Sequence, residues 1–307
     1  MKYVIPHGIG ALVVGLAAML GGAEPDKEAA PSARRPGAYP PVMTGAREEV
    51  YKTVGDVKLK LYIFDPAGRK PADTSPAIVF FFGGGWTGGS PAQFEPQCRY
   101  LASRGVVAIS ADYRVSSRNT IDKPGDCIRD AKSAMRWVRA HAQALGIDPK
   151  RIAAGGGSAG GHLAASVAML DGFEEEGEDR SVSSKPDALV LFNPAVAPPR
   201  ENPPPGVSGF GRDVWPAYHV KAGLPPTIMF FGTEDTLVGG AKEMEAEMKR
   251  AGNRCELVTY EGQRHGFFNY GAGGNKYFLD TLKRADEFLA SLGWVKGEPM
   301  VDGFKWE

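Results

Sequence analysis

The chain is short of cysteine, of histidine and of any surplus of charge. Three Cys in 307 residues are too few for a disulfide framework, and none has the Cys or His spacing of a zinc site. Five His leave few candidates for chemistry that needs an imidazole. Lys plus Arg matches Asp plus Glu at 36 each. No basic excess is there to neutralise phosphates, so nucleic acid is not an expected partner, and no acidic excess is there to hold a basic one. There are no internal repeats. A single long apolar run occurs, Ile9 to Leu20, shorter than the roughly 20 residues a membrane-spanning helix needs.

That run follows a weakly positive start at Lys2 and ends in the small residues Gly21-Gly22-Ala23 before an abruptly polar Glu24 to Glu28. The pattern predicts a secretory signal peptide over 1–23, cleaved after Ala23, with an uncleaved N-terminal anchor as the alternative. No Cys follows the run, which excludes a lipid anchor there. The expected mature chain is periplasmic or secreted, with no stable membrane span after cleavage. Residues 24–47, rich in Ala, Pro, Arg and Gly, read as a disordered linker. Export would permit a disulfide, and Cys98 with Cys127 is the pair to consider; buried thiols packing as small hydrophobes are the equal alternative.

From residue 48 to 307 the patterning is that of one domain. Glu49 to Phe64 alternates apolar and polar about a Gly55-Asp56 turn, which predicts an antiparallel hairpin with one wet face. Ala77–Phe82, Val106–Ser110, Lys150–Ala154, Ala188–Phe192, Thr227–Phe231 and Cys255–Tyr260 are short apolar runs, as strands covered on both faces must be. Helical patterns separate them, near 92–103, 124–145, 161–170, 240–251 and 274–292. The 124–145 pattern carries Ile128, Ala131, Met135, Val138 and Ala142 at spacings of three or four. This alternation predicts an α/β fold: a mostly parallel central sheet with helices on both faces. Two insertions break the rhythm. One is acidic (172–179) and reads as a solvated loop; the other is Pro-rich (195–226) and carries Phe210, Trp215, Tyr218 and His219.

The chemistry is written in what the chain has in abundance, glycine. Gly156-Gly157-Ser158-Ala159-Gly160 lies between an apolar run and a helical pattern, the arrangement of a nucleophile elbow that raises a serine hydroxyl clear of the sheet. A serine needs a base within hydrogen-bond reach and an acid to orient that base. In such sheets both belong on loops after the last strands. His265, in Gly262-Gln263-Arg264-His265-Gly266-Phe267, follows the last strand and is the expected base. Asp235 follows the strand before it and is the expected acid, with Glu234 its rival. His7, His141 and His219 lie elsewhere, and His162, four residues past Ser158, lines the site without reaching the hydroxyl. Gly83-Gly84-Gly85-Trp86 ends the first buried strand, where backbone N–H groups can stabilise a negative oxygen. Gly84, Gly85 and Ala159 are the expected oxyanion donors. Trp86, His162 and Trp215 are the expected substrate contacts.

These segments resemble the α/β-hydrolases of the carboxylesterase type, near the hormone-sensitive-lipase and bacterial feruloyl/acetylxylan-esterase branch. Phe82 to Trp86, Ala111-Asp112-Tyr113-Arg114, Asp130-Ala131 with Trp137-Val138-Arg139, Gly156 to Gly161, Asp235 and His265-Gly266-Phe267 carry the resemblance. It implies an exported serine esterase acting through an acyl-enzyme on a small-molecule or polysaccharide-linked ester, with no metal or organic cofactor. Short acyl groups are expected, including acetyl or feruloyl esters of plant polysaccharides. A serine peptidase of the same fold and a non-catalytic binding protein on this scaffold are the rival readings. Relatives usually carry His where Phe82 stands. Asp112, Arg114 and Asp130 read as structural ion-pair residues.

Overall fold

The computed structural model describes residues 39–69, 74–198 and 209–306. The expected signal peptide and most of the expected linker lie outside the described residues. Eight strands form one sheet: β1 (Arg47–Val54), β2 (Val57–Phe64), β3 (Ser75–Phe81), β4 (Val107–Ala111), β5 (Ile147–Gly157), β6 (Ala188–Phe192), β7 (Thr227–Gly232) and β8 (Cys255–Tyr260). Their order across the sheet is β1-β2-β4-β3-β5-β6-β7-β8. The β1–β2 and β2–β4 pairs are antiparallel and all others parallel. The helices are α1 (Glu95–Ser103), α2 (Gly125–Ala140), α3 (Ala142–Leu145), α4 (Ala159–Met169), α5 (Val238–Arg250) and α6 (Lys276–Ser291).

The period-two geometry of strands explains why the central runs are apolar throughout. Val79, Phe81, Val107, Ile109, Leu189 and Leu191 point to one face, where they meet α2, α4 and α5. Ile78, Phe80, Ala108, Val190 and Phe192 point to the other, where they meet α1 and α6. Every residue of β3, β4 and β6 is buried as a result, the pattern required of parallel strands covered twice.

Four expectations need correction. The chain is docked well before residue 48: the Tyr39 hydroxyl donates to Asp112 at 2.6 Å, the Arg118 guanidinium lies 3.8 Å above the Tyr39 ring, and Met43 is buried. The hairpin has no fully wet face, because Tyr62 and Phe64 pack into the second core. The long helix breaks at His141, whose ring stacks on Trp137 at 4.0 Å, and resumes as α3 until Gly146 caps it in the left-handed region. The acidic insertion is a clamp rather than a solvated loop. Glu174 pairs with Lys132 and Arg136, Glu178 with Arg136, and Glu175 with Lys52, which also holds Asp130 at 2.7 Å. The ion pairs read for Asp112, Arg114 and Asp130 are present, with Arg114 Nε 2.8 Å from Asp130 Oδ2. Cys98 and Cys127 are free buried thiols in cores on opposite faces of the sheet.

Candidate active site

The carboxyl ends of β3, β5, β6, β7 and β8 converge on one rim, and the loops leaving them carry the site. β5 runs straight into Ser158, which sits at φ 54° and ψ −119° before α4 begins. That left-handed conformation is strained for a residue with a side chain and is tolerated because the surroundings enforce it. The turn closes only because Gly160 lacks a side chain: a Cβ there would lie 1.9 Å from the Phe81 carbonyl oxygen. The Ser158 N–H donates to Phe192 O at 3.0 Å, tying the elbow to β6.

The Ser158 Oγ lies 2.8 Å from His265 Nε2, and His265 Nδ1 lies 2.7 Å from Asp235 Oδ2. Residues separated by more than a hundred positions thus meet in one hydrogen-bonded line. The Asp235 side chain has no accessible surface, whereas 42% of the His265 side chain is open to solvent. The second Asp235 oxygen accepts the Leu237 N–H at 2.9 Å, so the carboxylate is fixed at both ends. Glu234, the rival acid, turns away and pairs with Arg264 at 3.0 Å.

Behind the serine, the glycine run leaves β3. Gly84 stands at φ 135°, and a Cβ there would lie 2.3 Å from Gly88 O. Gly85 and Trp86 follow at φ 62° and φ 57°. The Gly83 N–H is taken by Gln93 Oε1 at 2.6 Å. The N–H groups of Gly84 and Gly85 come next in the chain, and Ala159 opens α4 directly after Ser158. Phe82, where the resemblance leads one to expect His, stacks on Tyr113 at 4.1 Å, and the Tyr113 hydroxyl donates to Phe82 O at 2.8 Å. Apolar stacking and one hydrogen bond thus anchor the start of this loop.

The structure brings Trp86, His162 and Trp215 together, but as a buried cluster with Phe210 rather than as an accessible wall. His162 has no accessible surface, and its Nε2 donates to Val214 O at 2.7 Å, pinning the Pro-rich insertion to α4. Burial holds this imidazole neutral, with its pKa lowered to about 4. His162 therefore supports the site from behind. Among the described residues, its Nδ1 and Trp86 Nε1 have no hydrogen-bond partner.

Three residues that sequence reasoning did not select complete the frame. Gln93 reaches from Gly83 to Asn269, donating to its Oδ1 at 2.8 Å, and Asn269 Nδ2 donates to Gly266 O at 2.8 Å. Asn193, at the end of β6, accepts the Gly266 N–H on its Oδ1 at 3.0 Å and places its Nδ2 3.4 Å from His265 Nε2. Asn193 directly follows a buried strand at the functional rim, and that position is the one signal that could have marked it.

Comparison with known proteins bears on the fold and the family. Residues 61–191 match the family described as BD-FAE, and residues 207–269 match the family described as alpha/beta hydrolase fold. The apo form of Thermogutta terrifontis esterase 2 is 52% identical, superimposes with a TM-score of 0.81, and is matched over 85% of this chain and 100% of its own. Esterase LipC of Mycobacterium tuberculosis is 30% identical over 83% of this chain and 69% of its own length. The probable carboxylic ester hydrolase LipM of the same organism is 33% identical over 54% of this chain and 42% of its own. The chain spans about half the length of some curated relatives, with 50% of the probable isoprenylcysteine alpha-carbonyl methylesterase ICMEL1 of Arabidopsis thaliana covered. With a serine elbow at a strand end, a parallel sheet and matches of this identity and extent, the chain belongs to the α/β-hydrolase carboxylic ester hydrolases.

Proposed function

We propose that this chain is an exported serine carboxylesterase that cleaves short-chain acyl esters. The observation that carries the reading is the line from Asp235 through His265 to Ser158, with contacts of 2.7 Å and 2.8 Å. In this reading Ser158 Oγ attacks the ester carbonyl carbon. The Oγ–H bond breaks, its proton passes to His265 Nε2, and the carbonyl pair moves onto oxygen. Gly84, Gly85 and Ala159 N–H groups hold that oxyanion, each contributing about 3 kcal/mol to the transition state. Asp235 holds the imidazolium, which returns its proton to the leaving alkoxide. Water then repeats the sequence on the acyl-enzyme and releases the acid.

Short acyl groups are the expected range, on the resemblance noted above. Structures of the Thermogutta terrifontis relative with propionate and butyrate bound support the same range. Acetyl or feruloyl esters of plant polysaccharides are the candidate natural substrates, on the resemblance noted above. Export rests on the N-terminal pattern, and a mature chain starting at Glu24 is its expected signature by mass spectrometry of the secreted protein.

A fluorophosphonate probe tests the chemistry. It should label Ser158 stoichiometrically, and Ser158→Ala should lose both labelling and release of p-nitrophenol from acetate and butyrate esters. A folded parent protein that takes no label sinks the reading. Release of amines from peptide amides at rates matching ester hydrolysis would assign the site to a peptidase instead.

A further inference from the structure

We propose that Asn193 is a positioning residue for the base, setting which nitrogen of His265 is free to receive a proton. This rests on the esterase reading above. Asn193 is fully buried and sits at φ 35°. Asn adopts that region more readily than other residues with a side chain, so the residue type suits the position. Its own N–H donates to Phe230 O at 2.7 Å, so the backbone is locked to β7.

The direction of the side-chain amide follows from its partners. A backbone N–H can only donate, so the atom facing Gly266 N at 3.0 Å is the amide oxygen. The NH2 group then faces His265 Nε2 at 3.4 Å. An amide NH2 is a donor only. It tolerates a lone pair on Nε2 and opposes a proton there. At the other end of the ring, the Asp235 carboxylate accepts the Nδ1–H at 2.7 Å. Asp235 and Asn193 together therefore specify one tautomer, the one that can take the Ser158 proton.

The same contact has a second consequence in the reaction. Once Nε2 carries the proton, it faces the Asn193 amide nitrogen, a donor, on one side and the Ser158 oxygen on the other. The acceptors left to it are the former serine oxygen and the leaving alkoxide. Asn193 thus directs the proton onward. The charged groups near His265 are Asp235 and the exposed Arg264–Glu234 pair, and neither is altered in the test below.

Asn193→Asp separates this role from a structural one. It keeps the size of the side chain and an oxygen for the Gly266 N–H, and replaces the donor facing Nε2 by an acceptor. Steady-state hydrolysis of p-nitrophenyl acetate, the rate of fluorophosphonate labelling and the melting temperature are measured on the parent and the variant. The expected result is a kcat reduced about 10- to 100-fold and labelling slowed in parallel, with KM within about twofold. A kcat within about twofold of the parent overturns the proposal, because the structural contact to Gly266 alone would then suffice. If that variant does not fold, Asn193→Gly accommodates the positive φ, and a parent-like kcat there overturns the proposal equally. A parent that fails to label indicts the esterase reading, not this one.

Discussion

At the scale of single residues, burial sets opposite pH responses in two side chains near the site. Burial, opposed by the Tyr39 hydrogen bond and the Arg118 charge, raises the Asp112 carboxyl from 3.8 to about 6. Its proton is bound more tightly in the folded state. The resulting stabilisation is complete below pH 3.8 and is lost as pH rises through about 6. Burial lowers His162 from 6.5 to about 4, so its contribution is complete above 6.5 and is lost as pH falls towards 4. Between pH 7 and 5 the two largely offset. Asp112→Asn should therefore make the parent's acid loss steeper by about 1 kcal/mol across that window, and His162→Asn should make it shallower by about 2 kcal/mol. Urea unfolding at both pH values checks this; equal slopes in all three proteins would contradict it. Ser158, Asp235 and His265 were legible in the sequence because each follows a strand in the chain order this fold demands. Asn193 was not, since Asn beside Pro at a strand end is also ordinary turn chemistry. Nor did any pattern say that His162, Trp86 and Trp215 would face one another in the interior, because which residues a long insertion brings inward depends on tertiary packing.

Among the elements, the nucleophile elbow is the one with least latitude. Gly160→Ala would drive a methyl group to 1.9 Å from the Phe81 carbonyl oxygen and 2.4 Å from that of Phe82. Backbone on both sides leaves nothing to rotate away, so the variant should lose at least about 3 kcal/mol or fail to accumulate as folded protein. Gly239, inside α5 with open space around it, offers the contrast. Gly239→Ala should melt at or slightly above the parent, a gain within about 1 kcal/mol. Equal melting temperatures for the two variants would refute the steric account. The strands and helices themselves were readable to within a few residues, because fully buried strands and three-or-four-spaced helix faces are the strongest patterns a chain carries. The break at His141 was hidden because the apolar stripe continues across it, Ala142 and Leu145 being buried as well.

For the molecule as a whole, the acidic insertion matters more than its composition suggested. A run of glutamates read alone is a wet loop; its partners Lys52, Lys132 and Arg136 are scattered from β1 to α2 and become neighbours only in the fold. Glu174→Ala removes one carboxylate shared by two nearly buried cations. Lys132 keeps the Leu170 and Gly172 carbonyls, and Arg136 keeps Glu178. The loss should therefore be about 1–2 kcal/mol, below the 3–5 kcal/mol typical when a buried ion is left without a partner. Thermal unfolding decides it, and no change would return the insertion to the status of a solvated loop. The placement of the thiols bears on where such a protein can be made. The sheet stands between Cys98 and Cys127, and burial pushes both thiols well above their ordinary range and Cys255 to about 12. The native state neither gains a crosslink in an oxidising compartment nor forfeits one in a reducing cytosol. Its melting point should be the same with or without dithiothreitol, and cytoplasmic expression should yield the same enzyme as export.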